Sequence, residues 1–149
     1  MPALVSPREL VAGGGRGQKL RGRILCVDRE QKGGKDCFSC YLVSDEGYDS
    51  MVYIEAWREH ARTIQALVTE KQVVEITNLT IKALGDKVQW QSSSLEVYGQ
   101  VLQGTRIEEI QDDPKIPSIP GMVLLEDLPS YKRVPHLINI AGIVVDIQV

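Results

Sequence analysis

The chain has 149 residues, 43% of them hydrophobic and 25% charged, with a formal net charge of −3; this is the composition of one globular domain plus extensions. No stretch approaches the roughly 20 apolar residues of a bilayer-crossing helix, and a signal peptide would not carry two prolines, Arg8 and Glu9 within Met1 to Leu10. The sequence therefore predicts a protein that is neither secreted nor in a membrane, and its three cysteines, Cys26, Cys37 and Cys40, predict reduced thiols rather than a disulfide framework.

Charge is unevenly laid out. Residues 1–40 hold eight Lys/Arg against four Asp/Glu, whereas residues 96–127 hold two against seven. A phosphate backbone requires a basic face, not a basic total, so the positive first quarter is compatible with a nucleic-acid partner; it is equally the charge of an ordinary solvated surface.

Residues 1–17, ending in Gly13-Gly14-Gly15-Arg16-Gly17, have no sustained period and predict a flexible N-terminal arm. A phosphate-binding P-loop is excluded there, because no strand precedes the glycines and Leu20 stands where Ser or Thr would ligate magnesium. Lys19 to Asp28 predicts a first strand, with Gly22 marking a bend or close backbone approach, and Arg29 to Lys35 a polar loop. Asp36 to Ser44 and Ser50 to Trp57 predict the second and third strands, joined as a hairpin. Ala61, Ile64, Leu67 and Val68 recur at helical spacing and predict a short amphipathic helix between Arg58 and Glu70. Alternation returns in Gln72 to Leu84, the fourth strand; Gly85-Asp86 predicts a tight turn and Lys87 to Val97 the fifth strand. Pro114, Pro117, Pro120, Pro129, Pro135 and the acidic run from Glu108 to Asp113 predict an extended linker over 103–135. An extra strand is predicted over 136–149, placed to begin a second barrel, to pair with the first domain, or to mediate self-association.

Three strands, one helix and two strands predict an all-β chain with the plan of the OB-fold over residues 18–102: a five-stranded Greek-key barrel with one helix between strands three and four. SH3-like barrels and split β-α-β folds are the rivals, and the position of the helix favours the OB-fold.

Trp57 ends the third strand and Trp90 lies in the fifth, both among polar neighbours. Two such rings on a barrel surface can stack unpaired bases at about 1–3 kcal/mol each; barrel plugs are the competing assignment. Phe38, Tyr41 and Tyr53 are assigned mainly to core and rim packing. Arg21 and Arg23 on the first strand, Arg29, Lys32 and Lys35 around the first loop, and Lys82 and Lys87 beside the last hairpin bracket the tryptophans, where cations can follow phosphates. Cys37-x-x-Cys40 does not predict a metal site, because residues three apart in a strand point to opposite faces. His60 and His136 form no recognisable pair with a nucleophile or ligand, so the sequence predicts no catalysis, no metal and no cofactor.

Phe38-Ser39-Cys40-Tyr41-Leu42-Val43-Ser44-Asp45-Glu46-Gly47 is similar to the strand and turn "FSLELVDESG" of the single-stranded-DNA-binding OB domains of the replication protein A large subunit. Met51 to Trp57 resembles that family's third strand, Leu95 to Tyr98 its barrel closure, and Ile116 to Leu128 its linker, so that residues 20–128 carry the resemblance. The first loop is shorter than in the family and has no aromatic residue. The resemblance implies base stacking by Trp57 and Trp90, single-stranded DNA (or RNA) and other OB-fold subunits as partners, and a nuclear role in DNA replication, repair or recombination. A protein–protein interaction module on the same fold is the alternative.

Overall fold

The computed structural model describes residues 2–85, 89–90, 94–118, 122–124, 136–137 and 139–141, with side chains described over 2–85 and 94–118. In chain order the strands are β1 (Ala3–Leu4), β2 (Gln18–Lys32), β3 (Lys35–Ser44) and β4 (Gly47–Trp57), followed by the helix α1 (Glu59–Leu67). Then come β5 (Val73–Thr77), β6 (Thr80–Ala83), β7 (Gln89–Trp90), β8 (Val97–Gln100), β9 (Arg106–Glu109), β10 (Met122–Leu124), β11 (His136–Leu137) and β12 (Asn139–Ala141).

The main sheet runs β6-β8-β4-β3-β2-β5-β9. β2, β3 and β4 form an antiparallel meander, β5 returns beside β2, and β8 lies parallel to β4. With α1 between β4 and β5, this is the Greek-key order of the OB-fold. β5 and β6 are the predicted fourth strand, broken at Asn78, whose φ is +62°.

One face of each strand fills the barrel. Leu20 and Ile24 of β2, Phe38 and Leu42 of β3, Val52 and Ile54 of β4, and Val74 and Ile76 of β5 are buried in one cluster, capped by Ala61 and Ile64 of α1. Each large apolar side chain so buried contributes about 1.5–3 kcal/mol. Gly22 is required by this packing, since a Cβ there would lie 2.6 Å from the Val43 carbonyl oxygen and 2.8 Å from Leu42 Cγ. The opposite face carries a second cluster, with Leu25, Tyr41, Val43, Met51 and Val73 covered by Ile116.

Several predicted segments are arranged differently. Arg29 to Lys35 is not a loop: β2 and β3 continue to a two-residue turn, Gly33-Gly34, whose φ values of +59° and +79° suit glycine and the twist of a tight hairpin. Residues 2–17 do not hang loose, because Val5 N donates to Lys19 O at 2.9 Å, Gly13 N donates to Ile81 O at 2.8 Å and Leu10 is buried. Their strand pairing and one apolar anchor offset the entropy that the glycines would otherwise keep. The barrel is closed by β8, whereas Gln89–Trp90 pairs in parallel with His136–Leu137. Within the predicted linker, β9 pairs with β5 and adds an edge strand to the sheet.

Candidate nucleic-acid interface

Because Phe38, Leu42, Ile54 and Ala56 point into the barrel, strand alternation puts Cys37, Ser39 and Tyr41 of β3 and Tyr53, Glu55 and Trp57 of β4 on the outer face. Register joins them in rows: Trp57 opposite Cys37 and Glu30, Glu55 opposite Ser39 and Asp28, Tyr53 opposite Tyr41 and Leu25. Parallel pairing of β4 with β8 extends two rows, placing Gln100 beside Glu55 and the Tyr98 ring 6.1 Å from that of Tyr53. Tyr41 and Tyr53 are 5.4 Å apart at 55°, a tilted contact of the favourable aromatic kind. Of these rings Tyr53 and Trp57 are half-buried, whereas Tyr41, 3% exposed, and Tyr98, 7% exposed, are buried and pack against Tyr53.

Glu55 ties this face together. Trp57 Nε1 donates to its Oε1 at 3.2 Å and the Tyr53 hydroxyl donates to Oε2 at 3.3 Å. Burial, followed by the neighbouring carboxylate of Glu55, pushes the Tyr53 hydroxyl well above the ordinary tyrosine range, so it stays a donor.

The predicted cations are placed differently from one another. Lys32 and Lys35 face each other across the hairpin end, on the same outer face as Trp57, with Lys32 2.9 Å from Glu30. That hydrogen bond is the main reason the Lys32 ammonium titrates above its ordinary value. Lys82, opposite Tyr98 in the β6–β8 register, is an exposed cation on the far flank. Arg29 pairs with Phe38 and is exposed on the opposite side of the sheet from Trp57. Arg21 makes two hydrogen bonds to Glu75, whose carboxyl they hold below its usual range, with help from Lys19 at 3.5 Å.

Arg23 is a different kind of residue from the one expected. It is 6% exposed, and its guanidinium donates to the carbonyls of Lys71 (2.8 Å), Asp113 (3.1 Å) and Ile116 (3.3 Å) and pairs with Asp112 at 2.8 Å. It clamps residues 112–116 over the second apolar cluster and is not available to a phosphate.

The Trp90 backbone lies in β7, paired with Leu137, while its side chain and the whole of Lys87 lie outside the described residues. Tyr41 is a packing residue, as expected, buried in the second cluster; Tyr98 is not a candidate from the sequence, and counting by twos back from Trp57 gives Glu55 and Tyr53, the signal that finds Tyr53. Phe38 is a core residue, as expected. Cys37 and Cys40 fall on opposite faces, Cys40 in the core with its thiol pushed up to about 12 by burial. Among the described residues no three His, Cys, Asp or Glu side chains gather to hold a metal ion.

No protein-family model matches the sequence, and no curated protein matches it. Solved structures do match. The chain superposes on a replication protein A heterotrimer bound to single-stranded DNA with a TM-score of 0.57 and 21% identity, covering 84% of this chain and 29% of that one. It superposes on DNA-binding domain A of Saccharomyces cerevisiae replication protein A with a TM-score of 0.52, 14% identity and coverage of 74% and 96%. Fission yeast Pot1 with single-stranded DNA gives 0.53, 11% identity and coverage of 78% and 41%. The fold is therefore that of these OB domains, and this chain spans less than a third of the heterotrimer chain it matches.

Proposed function

We propose that this chain is a non-catalytic OB domain that binds single-stranded DNA, stacking bases on Trp57 and Tyr53 while Lys32, Lys35 and Lys82 neutralise phosphates on either flank. The observation that carries this reading is the placement of the half-buried Trp57 and Tyr53 on one outer sheet face, backed by the buried Tyr41 and Tyr98, with lysines at the hairpin end and beside Tyr98. The replication protein A heterotrimer and fission yeast Pot1, both solved with single-stranded DNA and both similar in fold to this chain, support it. Service in nuclear DNA replication, repair or recombination, and assembly with other OB-fold subunits, belong to the same proposal. Labelled oligo-dT should bind with an affinity that falls as salt rises. Trp57→Ala should weaken binding by about 1–3 kcal/mol without unfolding the barrel. Undiminished binding by that variant refutes the stacking assignment, and a matched RNA oligomer tests the preference for DNA.

An interaction module for a protein partner is the second reading. It is favoured by β9, whose Glu108 and Glu109 are exposed on an edge strand with no further neighbour among the described residues. Salt-independent behaviour toward oligonucleotides would favour it.

A further inference from the structure

Immediately after Trp57 the fold gathers a second set of cations, with Asp36 as its hub. The Arg58 N–H donates to the Asp36 carbonyl at 2.8 Å, Arg62 donates to the Asp36 Oδ2 at 2.7 Å, and Gln31 Nε2 donates to its Oδ1 at 3.0 Å. These side-chain hydrogen bonds, that of Arg62 first, hold the Asp36 carboxyl below its usual range, so it remains ionised beside Arg62. Gln31 faces Asp36 in the β2–β3 register, and Arg29, two residues earlier, lies on the same side of the sheet. Three exposed arginines, Arg29, Arg58 and Arg62, thus stand against Asp36 and the neighbouring Glu59, and neither Arg29 nor Arg58 has an ion-pair partner among the described residues.

Arg58 breaks three local rules at once. It holds the N-cap of α1 at φ +57° and ψ −124°, a conformation that favours glycine, and its side chain makes no capping hydrogen bond. Its charge also sits at the positive pole of the helix. Residues that oppose local stability in this way gather at functional positions, and what Arg58 adds is a guanidinium one residue beyond the stacking ring. We infer that Arg58, Arg29 and Arg62 form a phosphate-binding subsite that receives the backbone of the single strand as it leaves Trp57 and crosses the end of β4 to the opposite side of the sheet; this rests on the single-stranded-DNA reading above. Lys32 and Lys35 lie on the Trp57 side and do not serve that path. Guanidinium suits the role, since its planar fork donates two parallel hydrogen bonds to one phosphate.

The test uses the full chain and a labelled thymine oligonucleotide of about 16 nucleotides, long enough for the largest OB-fold sites. Arg29→Gln combined with Arg58→Gln should make the log–log salt slope shallower by about 1.4, two phosphates at about 0.7 each, whereas Arg29→Lys combined with Arg58→Lys should keep it. Arg58→Gly separates backbone from charge: its urea midpoint should be unchanged or higher, because glycine accepts the positive φ, while its salt slope becomes shallower by about 0.7. An unchanged slope in the glutamine pair, or a lower urea midpoint at unchanged slope in Arg58→Gly, overturns the subsite while single-strand binding on the Trp57 face stands. Absence of binding by the unaltered chain overturns the underlying reading and this one with it.

Discussion

Arg23 offers the sharpest separation between a structural and a nucleic-acid role, and Arg23→Met removes its charge while keeping most of its volume. Hydrogen bonds from a charged donor contribute about 1.5–3 kcal/mol each when buried. The contacts to Lys71 and Asp113 are only part-buried, so those carbonyls regain water, whereas the contact to Ile116 is buried. Asp112 is 71% exposed, so its ion pair adds less than about 1 kcal/mol. Arg23 Nε is buried without an acceptor, and losing it returns about 1 kcal/mol. The net expectation is a loss of about 1–3 kcal/mol, read as a lower urea midpoint at unchanged slope. Faster hydrogen exchange should appear at Ile110, bonded to Val73 O, and Ile116, bonded to Asp113 O. The salt dependence of oligonucleotide binding should not change, whereas Lys35→Ala should reduce its log–log slope by about 0.7. An unshifted urea midpoint together with a shallower salt slope in Arg23→Met would refute the clamp and restore Arg23 to the phosphate path.

Two further outcomes follow from the packing and the ion pairs. Gly22→Ala should destabilise by about 3 kcal/mol, because its new methyl would meet backbone at 2.6 Å inside the β2–β3 pair; the sign is diagnostic, since alanine elsewhere in a strand is the better residue, and an unchanged or raised urea midpoint would contradict the close approach. Glu75 is held below its usual carboxylate range first by Arg21, so its contribution to stability is present above the unfolded value and lost as pH falls through the folded one. Arg21 is nearly half exposed, so Arg21→Ala should cost less than about 1 kcal/mol at neutral pH; that difference should vanish in acid and shrink with salt, and a cost that persists in acid would point to packing instead.

Local sequence was sufficient for the order of elements. Alternation in 36–44 and 50–57, helical spacing in 58–70 and the return of alternation after Gln72 depend only on which residues must face a core, so the three-strand, one-helix, two-strand plan was legible and the barrel follows it. Trp57 was legible for the same reason, as a large ring at the end of a half-polar strand. What local sequence did not decide was which face each β2 residue occupies. Before the irregularity between Leu25 and Asp28, the odd-numbered residues of β2 face outward; after it, the even-numbered ones do. Cys26, at a φ of +56°, sits in that irregularity. One extra residue therefore turns Arg29 away from Trp57 and brings Asp28, Glu30 and Lys32 round to it, a change of side that period-two counting cannot see. Register between distant strands decided the rest: β8 beside β4 set Tyr98 against Tyr53 and Gln100 against Glu55, and the return of residues 110–116 made a buried clamp of Arg23. Those contacts join residues 45 to 93 positions apart, and they form only when the barrel closes.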